Sequence, residues 1–307
     1  MSAARSRGFA LLTVLWAIVV LGVLALEIAT SARGARAAAS NLRTEARARW
    51  AARAGLARTL ETLDRVVAAN LVGIDLAAAG DSVLRPLDLE IDGTAVHVEV
   101  LDARARLDLN RAGDVELRRL FVAIGVRAAR ADSLADAVLD FRDRDDLHRA
   151  RGAERDAYRG AARPKNAPFD AVDEVRRVHG FSEELFLRVR PYLTVAGDGR
   201  VNVNSAPAAV LRTVDGIDES AARRIVQRRA RTPIRNVFEL IALFPAAEQA
   251  RLAAELGTLV DRVSYAPRDI EVWATANDNG LGPRARLHAR VILAGARNVE
   301  LKSVVER

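Results

Sequence analysis

The sequence predicts an α+β protein, in which a long amino-terminal helix packs on a small antiparallel sheet and a large all-α insertion splits that sheet. Three observations carry this. From Phe9 to Leu26 the chain runs eighteen residues without a charge, and helix-forming residues continue from Ala35 to Leu71 without a proline. Two stretches with strand-like alternation lie far apart, near residues 87–101 and 270–305. Between them, residues 110–261 read almost wholly as helices punctuated by Gly125, Gly152, Pro164, Gly180, Pro207, Gly216 and Pro245.

The amino terminus carries the strongest signal. A short basic segment with Arg5 and Arg7 precedes the apolar run. At about 1.5 Å per residue that run just reaches across the roughly 30 Å hydrocarbon core of a bilayer. A cleavable export signal is the alternative, with Ala29-Thr30-Ser31-Ala32 as its small-residue cleavage site. Leu56, Leu60, Leu63, Val67 and Leu71 then recur every three or four residues, an apolar stripe along one helical face. Membrane segment and stripe together make a stalk that holds a head away from a membrane. Eight arginines between residues 33 and 65, against two before the apolar run, oppose that orientation by the positive-inside rule.

Past the stalk, Leu87–Ile91 and Thr94–Leu101 flank Asp92-Gly93, a pair that supplies the positive φ angles of a type I′ hairpin turn. Residues 270–276, 285–293 and 298–305 form a second strand group. The insertion repeats itself. Leu107-Asp-Leu-Asn-Arg-Ala112 matches Val201-Asn-Val-Asn-Ser-Ala206, and Leu117-Arg118 matches Leu211-Arg212. Each copy reads as a short strand ending in an asparagine that caps the next helix. Val178-His-Gly-Phe-Ser-Glu183 and Val214-Asp-Gly-Ile-Asp-Glu219 form a second repeat, with the helix-hairpin-helix order of glycine, hydrophobe and capping residue.

Composition removes several functions. There is no cysteine, hence no disulfide and no thiolate metal site or nucleophile. The four histidines are scattered, and no nucleophile elbow, Walker loop or dinucleotide fingerprint is present, so a hydrolytic enzyme has no constellation to work with. A net charge of +7 invites a nucleic-acid partner, yet only Lys165 and Lys302 are lysines and forty acidic residues are interleaved with the arginines. A membrane-tethered helix-hairpin-helix DNA-binding protein is the rival function, with Arg223, Arg224, Arg228 and Arg229 extending a phosphate contact. Against it, Ser182 and Asp218 stand where DNA-binding hairpins place glycine, and a carboxylate repels phosphate. One acidic cluster, Asp140, Asp143, Asp145, Asp146 and Glu154, has the oxygen ligands Ca²⁺ prefers, although Arg142, Arg144, Arg149 and Arg151 compete as its neutralisers.

Arg7-Gly8-Phe9-Ala10-Leu11-Leu12-Thr13-Val14-Leu15 resembles the prepilin motif, and the whole chain resembles the type II secretion K-type minor pseudopilins, whose head is split by a helical insertion. The acidic stretch with Gly152-Ala-Glu154 and Tyr158 is similar to a segment of the same family. The resemblance implies the pseudopilin fold and a non-enzymatic role at the tip of a periplasmic pseudopilus that exports folded proteins. It implies cleavage between Gly8 and Phe9 by a prepilin peptidase, and N-methylation of Phe9. Thr13 stands where most prepilins carry glutamate, a departure shared with the K type. A tip subunit has no neighbour above it, so a carboxylate there would sit unpaired in the bilayer. The implied organisation is a leader over 1–8, a transmembrane helix over 9–32, and the stalk with the first half of the head over 33–108. The inserted α domain follows over 109–262 and the closing strands over 263–307. The implied setting is single-pass in the inner membrane with a periplasmic head. Implied partners are the I- and J-type minor pseudopilins and the major pseudopilin, with no nucleic acid. No cofactor is required; Ca²⁺ is the one candidate ion.

Overall fold

The computed structural model describes residues 3–70, 84–158, 163–278, 282–294 and 298–306, with side chains over 14–67 in the first segment. Helix α1 (Ala3–Asn70) is a single 68-residue rod. Thr44, Thr59 and Thr62 each return their hydroxyl to the carbonyl four residues back, at Ser40, Gly55 and Arg58, so these β-branched residues are accommodated without a break. The hairpin forms as predicted. Strand β1 (Leu87–Ile91) pairs with β2 (Thr94–Asp102) around Asp92 at φ 49° and Gly93 at φ 71°. Strands β7 (Asp269–Asp278), β8 (Gly282–Ala294) and β9 (Asn298–Glu306) complete an antiparallel sheet in the order β1-β2-β7-β8-β9.

One face of this sheet receives α1. Val96, Val98 and Val100 of β2, Val272 and Ala274 of β7, and Leu287, Ala289 and Val291 of β8 bury against Leu56, Leu63 and Val67. The predicted stripe is buried at those three positions and half-buried at Leu60, while Leu71 lies outside the described residues. It also starts earlier than periodicity of large side chains shows, because Ala48, Ala51 and Ala52 are buried too. Small residues let the rod lie close on the sheet. A Cβ at Gly55 would stand 2.8 Å from Val96 Cγ1.

The insertion leaves the sheet after β2 and returns at β7. It is less wholly helical than expected: β3 (Leu107–Asp108) pairs in parallel with β4 (Leu193–Thr194), and β5 (Val201–Asn202) with β6 (Val263–Ser264). These two short ladders explain the 94-residue repeat, since each opens and closes one unit of the insertion. The ladders continue identically, with Leu109 N donating to Thr194 O at 2.9 Å and Val203 N to Ser264 O at 3.0 Å. The first unit holds α2 (Asp114–Ala123), α3 (Ala128–Arg142), a 3₁₀ turn at Val172–Arg177 and α4 (Glu183–Val189). The second holds α5 (Ala208–Leu211), α6 (Glu219–Arg229), α7 (Val237–Ile241), α8 (Ala246–Ala254) and α9 (Leu256–Arg262). Their buried side chains, among them Phe121, Phe141, Phe186, Leu211 and Ile225, form one core separate from that beneath α1.

The repeated asparagines do not cap helices. The N-caps are Gly113 and Pro207. Asn110 instead grips a distant strand of backbone, accepting from Phe169 N at 2.8 Å and donating to Phe169 O at 2.9 Å. Asn204 does the same to Ile234, at 2.9 and 2.7 Å. Each clamp is backed by the last arginine of a helix: Arg142 donates to the carbonyls of Leu109 and Ala112, Arg229 to those of Val203 and Ala206. An amide side chain satisfies two backbone groups at once, which a helix cap would not need.

Candidate functional sites: anchor, acidic loop and glycine turns

Gly8, Phe9 and Thr13 lie in the first turns of α1, where the backbone alone is described. From Val14 to Ile28 the large apolar side chains are 48 to 70% exposed, with no protein surface covering them. That is the arrangement a hydrocarbon solvent stabilises and water does not. The arginines of the stalk are partly spoken for. Arg49 pairs with Glu45 and, at 2.7 Å, with Glu306 at the end of β9. Arg53 reaches Glu306 and lies over Trp50, Arg65 reaches Glu61, and Arg47 reaches Asp92 in the hairpin turn. Arg47, Arg49 and Arg53 thus lie at the seam between stalk and head.

The acidic loop follows α3. Asp140 is fully buried and accepts backbone bonds from Arg149 and, at 2.9 Å, from Ala153. Gly152 is required beside it, because a Cβ there would overlap the Asp140 carboxylate. Arg149 bridges Asp140 and Asp143 at 3.3 and 3.5 Å. Asp145 accepts from Leu147 N and Asp146 from Asn166 Nδ2. Glu154 is 3% exposed with neither carboxylate oxygen hydrogen-bonded, and Asp143 Oδ1 is likewise orphaned. Burial, together with the charges of Asp140, Asp143, Asp146 and Asp145, pushes the Glu154 carboxyl up to about 7. Tyr158 closes the segment by accepting from His179 N at 3.1 Å. Burial and the neighbouring charges of Asp145 and Asp140 likewise raise the Asp143 carboxyl, yet among the described residues no three acidic or histidine side chains gather closely enough to hold a metal ion. Arg149 occupies the place a cation would take.

Gly180 and Gly216 take φ of 86° and 78°, as their turns demand, and Gly125 is a third such turn at 90° that the repeats did not reveal. Its capping position is Arg127, without a side-chain cap, so the local pattern was too degenerate to read. Ser182 caps α4 by accepting from Leu185 N, and Asp218 caps α6 by accepting from Ala221 N at 2.7 Å. That bond, followed by the Ser220 hydroxyl, holds the Asp218 carboxyl below its usual range. It stays ionised over the amides a phosphate would need. The four arginines offered for a phosphate contact are engaged internally: Arg223 with Glu219, Arg224 with the Leu243 carbonyl, Arg228 with Thr232 and Glu239, and Arg229 in the Asn204 clamp.

Two family models match, both described as Type II secretion system (T2SS), protein K, over residues 99–198 and 201–259. Type II secretion system protein K of Dickeya chrysanthemi is 25% identical, with 87% of this chain and 90% of that protein covered. The protein of the same name from Pectobacterium carotovorum is 27% identical over 74% of this chain and 76% of its own length. The crystal structure of the GspK-GspI-GspJ complex from the enterotoxigenic Escherichia coli Type 2 Secretion System contains a chain of similar fold. Its TM-score is 0.63 at 18% identity, with 90% of this chain and 98% of that one covered. The models fall on the helical insertion and the similarity extends to stalk and sheet, so the chain belongs to the type II secretion system protein K family and is a minor pseudopilin.

Proposed function

We propose that the leader is cut between Gly8 and Phe9, that residues 9–32 anchor the chain in the inner membrane, and that residues 33–307 form a periplasmic head. There the chain joins the I- and J-type minor pseudopilins at the pseudopilus tip and meets the major pseudopilin below. Its work is assembly rather than catalysis, and the insertion uses helix-hairpin-helix-like turns as structure, not for DNA. The observation that carries this reading is α1 itself: apolar and uncovered from Val14 to Ile28, then clamped to the sheet from Ala48 onward. A partner subunit can lie along the uncovered part without disturbing the head. Co-expression with the I- and J-type pseudopilins of the same system should yield one detergent-solubilised complex of all three on size exclusion. The chain eluting alone, with both partners present and folded, would count against the assembly.

The acidic loop is proposed to take Ca²⁺. In support, Glu154 and Asp143 offer buried oxygens without partners, and hard oxygen donors suit that ion. Because no three of these side chains gather closely enough as they stand, Ca²⁺ would have to displace Arg149 from Asp140 and Asp143 and draw the carboxylates together.

A further inference from the structure

The face of the sheet opposite α1 is roofed at one end by the insertion, and a cavity of about 280 Å³ lies between them. Its floor is Glu271 and Trp273 of β7 with Arg286 and His288 of β8, side chains that simple strand alternation assigns to solvent. Trp273 and His288 stack at 4.0 Å between centroids and 14° between planes, and the Arg286 guanidinium lies 4.3 Å from the Trp273 ring centre. The roof is Val172, Pro191, Leu193 and Val195, with Arg190 at the rim.

The hydrogen-bonding capacity around this space is one-sided. Three of the four carboxylates that line it are hydrogen-bonded, Asp170 to Lys165 at 2.7 Å, Asp173 to Arg176 at 2.6 Å and Glu271 to the Thr194 hydroxyl at 2.9 Å, and the fourth, Glu99, lies 3.7 Å from His97 Nε2. The donors are not so answered. Arg286 Nε is buried without an acceptor, and His288 Nε2 stands 3.3 Å from Glu271 Oε2 without hydrogen-bond alignment. Arg190 is exposed; its backbone bonds to Phe186 O and Leu193 N, and its guanidinium has no hydrogen bond or ion pair among the described residues. Burial raises the Glu271 carboxyl, but contact with His288, the charge of Arg106 and the Thr194 bond outweigh it and hold the group below its usual range, so it does not supply a proton here. Buried donors without acceptors are rare in folded proteins and call for a ligand or ordered water.

We propose that this cavity between sheet and insertion binds an organic carboxylate of amino-acid size, its oxygens on Arg190 and Arg286 and its carbon body between the Trp273–His288 stack and the apolar roof. The volume is that of roughly nine waters, enough for one acidic side chain or a small dicarboxylic acid and for little more. Arginine forks match carboxylate oxygens in geometry as well as charge. A free acid and an acidic side chain of another protein present the same chemistry, and the experiment below separates them.

The test uses the full chain in detergent micelles with Trp16→Phe and Trp50→Phe, leaving Trp273 as the sole indole. Glutarate, a blocked Gly-Glu-Gly tripeptide, glutaramide and sodium sulfate are titrated at matched ionic strength. Saturable change in Trp273 fluorescence with glutarate or with the tripeptide, with Kd of about 1 mM or tighter, supports the site and says which source it accepts. Arg190→Gln should weaken that binding by about tenfold or more while leaving the melting temperature unchanged, because the exchange keeps the backbone bonds of Arg190 to Phe186 and Leu193 and removes only its guanidinium. Absence of saturation with both carboxylates, an equal response to sulfate or glutaramide, or undiminished binding by a folded Arg190→Gln chain would each overturn it.

Discussion

Asn204 shows how one side chain can hold a domain together. Its amide donates to the carbonyls of Ile234 and Tyr265 and accepts from Ile234 N, joining the start of the second unit to its middle and its end. Asn204→Ala leaves three backbone groups in a poorly hydrated place, and chemical denaturation should show a loss of about 3 kcal/mol. Asn204→Asp should also be deleterious, because a carboxylate cannot donate to the two carbonyls. Glu154 makes the opposite kind of prediction. Its carboxyl sits at about 7 in the folded chain against an ordinary value of 4.5, so the native state binds the extra proton. Its contribution is therefore present below about pH 4.5 and is lost as pH rises toward 7. Without divalent ions, the stability difference between Glu154→Gln and the parent should grow in favour of the variant over that range. Calcium, which needs the deprotonated carboxylate, should reverse this by stabilising the parent alone, by about 2.7 kcal/mol at a hundredfold excess over Kd. Equal melting temperatures with calcium and with chelator would leave Arg149 as the cation that bridges Asp140 and Asp143.

Among the elements, α1 depends most on small residues. Gly55 is ordinarily a poor choice inside a helix, worth about 0.5–1 kcal/mol against alanine, but here the helix lies against Val96 and Val98. Gly55→Val should cost about 1–3 kcal/mol by forcing rod and sheet apart, read by thermal unfolding of the head. Gly34, with nothing within 4 Å of its would-be Cβ, should accept alanine without loss. The extent of α1, the Asp92-Gly93 hairpin and the three closing strands were legible because each rests on local pattern: apolar length, turn chemistry and period-two alternation. The seam at Ala48, Ala51, Ala52 and Gly55 was not, because small residues carry no amphipathic signal. The 94-residue repeat was visible, but its meaning was not. Asn110 and Asn204 are capping residues by type, and only the long-range approach of Phe169 and Ile234 turns them into clamps. The same limit hid the outer face of β7 and β8, where alternation predicts solvent and the insertion supplies a roof. For the acidic loop the sequence showed both rivals for each carboxylate, arginine and metal, and the fold seats Arg149.

At the scale of the molecule, sheet and insertion have separate cores joined through buried polar contacts. Asp102, at the end of β2, accepts from Asn202, Ser205 and Arg104 N, while Arg104 pairs with Asp198 and Asp269. Burial raises the Asp102 carboxyl despite these bonds, as expected of a charge enclosed between two units. The head is thus one fixed body at the end of a rod rather than a bead on a linker. The rod's far end is apolar and uncovered by protein from Val14 to Ile28, so the account stands on how that end is processed and inserted. Its most direct test is the intact mass of the chain recovered from the membranes of cells carrying the matching prepilin peptidase. The account predicts a mature chain that begins at Phe9 and carries one added methyl group, with precursor accumulating when Gly8 is replaced by a bulky residue. A soluble product beginning after Ala32 would instead make the apolar run an ordinary export signal, and would contradict the anchored minor pseudopilin.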